Sequence, residues 1–112
     1  MLIKKYDDIT KEKVNVEGAY DTSIRWLIGK DSKAPNFYLR LFDIEPGGHT
    51  PRHTHPWEHE IYILEGNGKL NSKGKSIPFK KNYFALILPD EEHQIENTGD
   101  SVLKLLCIIP KQ

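Results

Sequence analysis

The stretch GGHTPRHTHPWEHEIYILEG, residues 47–66, decides the fold of this chain. Of its four histidines, three lie within seven positions: His53, His55 and His59. The residues that follow them, Glu60–Glu65, are rich in isoleucine and tyrosine and are typical of a β-strand. Turns that contain glycine stand at both ends of the stretch. These features predict a strand that begins directly after a histidine-rich turn.

The rest of the chain has the same character: short β-rich runs separated by turn signals. The predicted strands are Ile24–Ile28, Phe37–Glu45, Glu60–Glu65, Lys69–Ser72, Tyr83–Leu88, His93–Asn97 and Val102–Ile109. The predicted turns are Gly29–Pro35, Pro46–Gly48, Gly66–Gly68, Ser72–Lys75, Lys80–Asn82 and Thr98–Asp100. Helical periodicity is almost absent, and only Asp8–Val16 could form a single helical turn. Such spacing predicts an all-β sandwich or barrel.

The length and composition limit the classes of protein to which the chain can belong. The chain has 112 residues, 16 Lys and Arg against 16 Asp and Glu, and one cysteine. This length fits a single domain, residues 1–112. A lone cysteine excludes an internal disulfide framework, and zero net charge argues against nucleic acid or a membrane as partner. No apolar run approaches the ~20 residues that span a bilayer, and the N-terminus turns charged too early for a signal peptide. We therefore expect a cytoplasmic protein.

Alternation along the last predicted strand assigns its faces, since successive side chains of a strand point to opposite sides. One face carries Leu103, Leu105, Cys107 and Ile109 and no charge. The other face carries Lys104. The uncharged face is expected to point inward.

The predicted strand Phe37–Glu45 is largely apolar on both faces. A strand of this kind is covered on both faces, and in a small barrel the second cover is usually another layer or another subunit. The N-terminal extension, residues 1–22, also contains an extended segment, Leu2–Tyr6, that needs cover. We therefore expect a homodimer in which this extension packs on the partner subunit.

Four of the five histidines fall where a metal ion could use them. His53 and His55 are two residues apart, so both imidazoles project from the same face of a strand. His59 follows three residues later, and His93 lies far downstream. A single surface histidine is usually only solvated, but three within seven positions are harder to explain that way, and histidine is the commonest ligand of transition metals. His49, beside two glycines, is assigned to solvent.

This stretch resembles the first motif of the cupins, which is Gly, five residues, His-x-His, three or four residues, Glu, six residues and Gly. Gly47 stands five residues before His53, and three residues separate His55 from His59. Six residues separate His59 from Gly66. His59 therefore occupies the position where most cupins have glutamate.

Glu60 is the alternative ligand, under the four-residue spacing of the motif. From Glu60, however, only five residues precede Gly66. The resemblance therefore favours His59.

The second cupin motif, Pro, a turn, His, three residues and Asn, resembles Pro89, His93 and Asn97. The turn is one residue shorter, and Glu91 replaces its usual glycine. The glycine that normally opens the motif is missing, with Asn82 close to its place.

Small single-domain cupins with an all-histidine site are similar in length, in an Ala-Pro-Asn-Phe entry (Ala34–Phe37) and in a Cys-x-Ile-Pro ending (Cys107–Pro110). The resemblance implies a double-stranded β-helix, the jelly-roll barrel of the cupins. It also implies a metal site with four ligands: His53, His55, His59 and His93.

Such a site implies one divalent transition metal ion per subunit. Four neutral imidazoles leave the full charge on the ion, and an octahedron would keep two positions open. Mn or Fe fits this arrangement best, and Cu, Ni and Zn are also compatible.

The leading hypothesis is a dioxygenase-like oxidoreductase that acts on a small apolar or aromatic molecule. A metal-dependent isomerase or epimerase is the alternative within enzymes, since the ion would also serve as a Lewis acid. A non-catalytic cupin that binds a metal or a small molecule is the third possibility.

The pocket candidates are Arg40, Phe42, Leu105 and Cys107. Cys107 is either a small buried hydrophobic residue or a neighbour of the metal. Arg40 either grips a substrate carboxylate from the inner face of its strand or points outward. Trp57 either shapes the pocket mouth or fills space.

Overall fold

The computed structural model describes all residues, 1–112, and contains nine β-strands and two short 3-10 helices. The strands are β1 (Glu12–Lys13), β2 (Tyr20–Ile28), β3 (Phe37–His49), β4 (His59–Glu65), β5 (Asn67–Ser72), β6 (Lys75–Lys80), β7 (Phe84–Ile87), β8 (Gln94–Asn97) and β9 (Leu103–Pro110). The helices are single turns at Tyr6–Asp8 and Lys30–Ser32. Neither has the length and apolar character needed to cross a bilayer. The predicted all-β fold is confirmed.

All the strands belong to one curled antiparallel sheet, with the order β6-β5-β8-β3-β9-β4-β7 and with β2 and β1 beyond the other edge of β3. The long strand β3 joins the two parts of the sheet. Its first residues pair with β9, and its last residue, His49, pairs with Glu96 of β8. The core fills the inside of the curl: Tyr38, Ile44, Ile61, Ile63, Ile87, Ile95, Leu103, Leu105, Cys107 and Ile109.

Each of the seven predicted strands overlaps a strand of the structure. Two strands, β1 and β6, are absent from the prediction. Lys75–Lys80 carries Pro78 and two lysines, residue types that are depleted in strands. It nevertheless forms β6, an edge strand that pairs only with β5, and edge strands tolerate proline and lysine.

The predicted turn at Pro46–Gly48 is wrong, because these residues lie inside β3. The register between β2 and β3 shifts here, between the pairs Tyr20↔His49 and Thr22↔Ile44. Gly47 has φ of +81°, which glycine adopts without steric cost. The strand therefore bulges rather than ends, and it continues to His49.

The last residue of the stretch 47–66 must be glycine for a steric reason. Gly66 has φ of +94°, and a Cβ at this position would lie 2.9 Å from the carbonyl oxygen of Val102. The turn after β4 thus passes too close to the start of β9 for any side chain.

The N-terminal segment contacts β2 of the same chain. The Nε atom of Arg25 donates to the carbonyl oxygen of Ile9 at 3.1 Å, and its guanidinium lies 5.2 Å from the ring centroid of Tyr6. The last residues of the predicted extension, 20–22, form the start of β2.

Candidate metal centre

The two histidine motifs meet at a β-bridge. The backbone N–H of His53 donates to the carbonyl oxygen of His93 at 3.1 Å, and that of His93 donates to His53 at 3.0 Å. Residues 40 positions apart are thereby held side by side, which brings their imidazoles to a ring-centroid distance of 4.7 Å.

Three of the predicted ligands offer ring nitrogens that all lie within 4.8 Å of one another: His53, His55 and His93. His59, at the start of β4, points into the same space. Its ring centroid lies 4.5 Å from that of His55 and 4.9 Å from that of His93, and its Nε2 atom contacts Nε2 of His55. The ring of His59 therefore lies against two members of the three-histidine cluster.

Backbone carbonyls fix the orientation of two of these rings. The Nδ1–H of His55 donates to the carbonyl oxygen of Trp57 at 2.9 Å, and the Nδ1–H of His93 donates to that of Glu91 at 2.8 Å. Because a neutral imidazole carries one proton, both rings present the lone pair of Nε2 to the centre. Trp57 also stacks on His55, with ring centroids 4.3 Å apart.

The donor set fits a transition metal ion. His93 is 4% exposed, and its Nε2 atom is buried without any hydrogen-bond partner. A buried acceptor left unpaired is costly, and a metal ion in the centre would satisfy it. Only histidines belong to the cluster, with no carboxylate oxygen among its ligand atoms.

The surroundings keep the imidazoles neutral, as metal binding requires. Burial, followed by the charge of His93, lowers the pKa of both His53 and His55. Burial, followed by the guanidinium of Arg40, lowers the pKa of His59 to about 2. Protonation of these three side chains therefore requires a lower pH than protonation of a free imidazole.

Arg40 and Cys107 lie directly behind His59. The Nη2 atom of Arg40 is 3.1 Å from Nδ1 of His59 and donates to Sγ of Cys107 at 2.9 Å. Sγ of Cys107 is itself 2.9 Å from Nδ1 of His59. Burial raises the pKa of the Cys107 thiol. Of the two alternatives for each residue, Arg40 lies on the inner face and Cys107 neighbours the histidine cluster.

Aromatic side chains surround the guanidinium. Its carbon lies 5.1 Å from the ring centroid of Phe42 and 5.6 Å from that of Trp26, a separation typical of cation–π contacts. Trp26 also makes an edge contact with Tyr38, whose hydroxyl is buried without a partner. Sequence reasoning missed Trp26, because its proximity to Arg40 depends on the register of β2 with β3.

The remaining candidates lie further from the histidines. Leu105 is 1% exposed and packs in the core opposite Phe42. Glu60 is exposed on the outer face of β4. His49 is half-buried at the end of β3, where its ring lies 6.0 Å from that of Tyr20 and outside the cluster.

Asn97, the last residue of the second motif, is structural. Its amide nitrogen donates to the carbonyl oxygens of Ile44 and Ser101, both at 2.8 Å, and its side-chain oxygen accepts from Gly99. These bonds hold the turn that leads into β9.

Sequence and structure comparisons identify the family. The Cupin_2 family, described as a cupin domain, matches residues 40–109. An oxalate-binding protein of Thermotoga maritima is 32% identical, over 96% of this chain and 93% of that protein. The chain therefore belongs to the cupin family.

Two solved structures are similar over almost the whole chain. The polyketide cyclase RemF of Streptomyces resistomycificus has a TM-score of 0.93 and 32% identity, over 100% of this chain and 80% of that one. A predicted oxalate decarboxylase of Thermotoga maritima has a TM-score of 0.87 and 29% identity, over 99% and 100%. The predicted cupin barrel is thereby confirmed.

Proposed function

We propose that His53, His55, His59 and His93 bind one divalent transition metal ion. The convergence of their rings and the unpartnered Nε2 atom of His93 support this ligand set. Mn and Fe are the favoured ions, because they accept imidazole ligands while keeping positions for a further ligand. His53 is exposed, so the centre has access to solvent.

The observation that carries the functional proposal is the charge of the site. The imidazoles of the four histidines face it, the guanidinium of Arg40 lies behind His59, and no carboxylate is among the clustered ligand atoms. A divalent ion beside Arg40 would therefore leave several positive charges uncompensated, which favours a small anionic molecule with oxygen donors. The aromatic rings of Trp26 and Phe42 beside Arg40 favour a molecule with an apolar or aromatic part.

The activity we propose is that of a dioxygenase-like oxidoreductase acting on a small aromatic molecule that binds as an anion. A redox-active ion bound here would supply one-electron chemistry and polarisation of the bound oxygen atoms. Arg40 would orient the anionic group through its guanidinium, and the apolar core below Phe42 would exclude water from the reacting end.

A panel of catechols, diketones and flavonols tests this activity with Fe- or Mn-loaded protein. We expect dioxygen uptake with at least one member, and about tenfold weaker binding of that member to Arg40→Gln. Arg52→Gln is the matched control, because its charge is already paired with Glu92 at 3.1 Å. Absence of dioxygen uptake across the panel would contradict the oxidative proposal.

A Lewis-acid activity is the second candidate. It is supported by the likeness to a polyketide cyclase and to an oxalate-binding protein, both at 32% identity. Enolisation or cyclisation of a carboxylate- or diketone-containing molecule would use the same positive site without dioxygen. Turnover of a diketone under anaerobic conditions would favour this candidate over the first.

We also propose a homodimer, in which the extension 1–22 would pack on the partner in addition to its contacts with β2 of its own chain. The outer surface of β7, β4, β9 and β3 supports it, because it is unusually apolar for a solvent-facing sheet. Its exposed apolar side chains are Phe37, Tyr62, Phe84, Leu86 and Ile108. A second copy of the chain is the simplest cover for such a surface.

A further inference from the structure

We propose that an apolar cavity below the histidines is a binding site for dioxygen. This inference rests on the proposed oxidative function, in which dioxygen is the second substrate. The site can be tested without turnover, because dioxygen is paramagnetic and changes the nuclear relaxation of the side chains that it contacts.

The cavity has a volume of about 30 Å³ and is lined by eight side chains. Tyr83 carries the one polar side-chain atom among them. Space of about 10–15 Å³ is enough for a water molecule, but a buried water needs about two to four polar partners. The cavity therefore favours an apolar guest over water. Six of the lining side chains are aliphatic or phenyl groups: Ile61, Ile63, Leu70, Phe79, Ala85 and Ile95.

The cavity lies next to the histidine cluster along the barrel. Ile61 follows His59 by two residues, and Ile95 follows His93 by two residues, so each isoleucine lies on the same face as its histidine. Two residues of a strand span about 7 Å. Ala85 pairs with Ile61 across β7 and β4. These three lining side chains therefore form the layer of the barrel next to the histidines.

The cavity also lies where the sheet does not close. The strands β6 and β7 are the two ends of the strand order and do not pair with each other. Phe79 of β6 and Ala85 of β7 line the cavity from the two sides of this gap. Tyr83, in the turn between the two strands, is 48% exposed and also lines the cavity. An apolar guest thus has access from the surface at this turn, away from the exposed His53.

Dioxygen matches the size and the chemistry of this cavity. It is a small molecule without charge or hydrogen-bond donors, so it loses little on leaving water and gains dispersion contacts with the apolar walls. The same walls exclude the anionic molecule proposed for the centre, because nothing in them pairs with a charge. The two reactants therefore approach the histidine cluster from different sides, and neither blocks the other.

Methyl relaxation in solution measures where dioxygen resides. Protein labelled at the isoleucine methyl groups, and free of paramagnetic metal, is compared under nitrogen and under dioxygen. We expect the added relaxation to be several-fold larger at Ile61, Ile63 and Ile95, which line the cavity, than at Ile44 and Ile109, which do not. The two groups are matched in burial, since each of the five side chains is at most 7% exposed.

Filling the cavity should remove this difference. Ala85→Val adds two carbon atoms and suits the strand β7, and Ala85→Leu adds three. We expect the added relaxation at Ile61 to fall in the first variant and to fall further, to the level of Ile44, in the second. Ala34→Leu is the matched control, because it makes the same change in the turn before β3, outside the cavity, and should leave the relaxation unchanged.

The same variants test the part of the cavity in the reaction. With a molecule of the panel that supports dioxygen uptake, Ala85→Val should raise KM for dioxygen several-fold and leave KM for the organic molecule unchanged. Ala34→Leu should change neither constant.

Equal added relaxation at all five isoleucines would overturn the cavity as a site for dioxygen, whatever the protein catalyses. Larger relaxation at the lining residues, together with an unchanged KM for dioxygen in both Ala85 variants, would overturn the part of the cavity in the reaction. The same larger relaxation without dioxygen uptake by the parent protein would overturn the proposed oxidative activity instead, and the cavity would stand as a site for a small apolar molecule.

Discussion

The inner and outer surfaces of β3, β9 and β4 each depart from the usual pattern of an antiparallel sheet, because polar side chains interrupt the apolar inner surface and apolar side chains lie on the outer one. On the inner surface Arg40 pairs with Cys107, and Cys107 with Ile61, beside His59. On the outer surface, one residue along, Leu39 pairs with Ile108, and Ile108 with Glu60. A cation and imidazoles thus lie inside, while much of the outside is apolar.

This difference reflects two separate demands on the same strands. Polar side chains are placed inside a barrel only where something satisfies them, such as a metal ion, a ligand or one another. Large apolar side chains remain outside where another surface covers them. The inner surface is accordingly interpreted as the site of chemistry, and the outer surface as the site of association.

Removal of a proposed metal ligand from the inner surface should have the largest effect, which is a loss of metal affinity. We expect His93→Ala to lower metal affinity by more than about 100-fold, above the range for residues that only orient a ligand. The bridge to His53 is made by backbone atoms and should survive. Metal content after dialysis and calorimetric titration measure the effect.

His53→Ala, His55→Ala and His59→Ala should lose metal in the same way, while His49→Ala should keep it. Metal content in His59→Ala equal to that of the parent would contradict the four-histidine set and leave the other three as ligands.

Introduction of a charge on the outer surface should have the next largest effect, which is a loss of the proposed dimer. Leu86 of β7 is 54% exposed, and Leu86→Glu would place a carboxylate in the apolar surface. We expect dimers of the parent and monomers of the variant by light scattering at micromolar concentration, because an unpaired charge is costly to bury.

Ile77→Glu is the matched control. Ile77 is 57% exposed on the edge strand β6 and does not belong to the outer surface of β7, β4, β9 and β3, so its variant should remain dimeric. A monomeric parent protein would refute the interpretation of the outer surface.

Acid should destabilise the metal-free protein, because the fold holds His59 on the inner surface in its neutral form. The pKa of His59 is lowered to about 2 in the fold, whereas the unfolded chain takes up the proton near the ordinary histidine pKa of 6.5. The unfolded state therefore binds more protons below pH 6.5, and stability falls as the pH is lowered from there towards 2. Above pH 6.5 His59 is neutral in both the folded and the unfolded state, so the full stability of the fold is present.

Denaturant unfolding of metal-free parent and His59→Gln at several pH values measures this contribution. The slope for one such group approaches about 1.4 kcal/mol per pH unit. The variant should show a shallower loss of stability below pH 6.5 than the parent. Parallel curves for the two proteins would show that His59 is not held neutral by the fold.

A change of ligand type should have the smallest effect on binding. His59→Glu places a carboxylate near the ion and beside Arg40, so we expect metal to remain bound. The added negative charge should make a bound Fe or Mn ion easier to oxidise and should weaken the binding of anionic molecules. Turnover should change in rate more than in substrate preference, since Phe42 and Cys107 are untouched.

Voltammetry and turnover of the loaded variant and parent check this expectation. Were both quantities the same in the two proteins, His59 would not be a ligand, and its imidazole would be only a neighbour of the centre.

Much of the fold was predictable because its signals are local. Two-residue alternation and glycine turns located seven strands, and the motif spacing indicated which histidines could share a site. The failures have a common cause. Pro46–Gly48 has the composition of a turn and Lys75–Lys80 carries residues that are depleted in strands, but the pairs on either side of the first segment and the pairing of the second with β5 keep both in strands.

By itself the sequence determined the cupin motifs, the inward face of Val102–Ile109 and the histidines that form the cluster, because each depends on spacing along a short segment. Only the tertiary structure decided that Arg40 points inward and that Cys107 lies behind His59. These residues are separated by 19, 48 and 67 positions, and the register of β3 with β9 and of β9 with β4 brings them together. A one-residue slip in either register would move one of them to the outer surface, because side chains alternate along a strand.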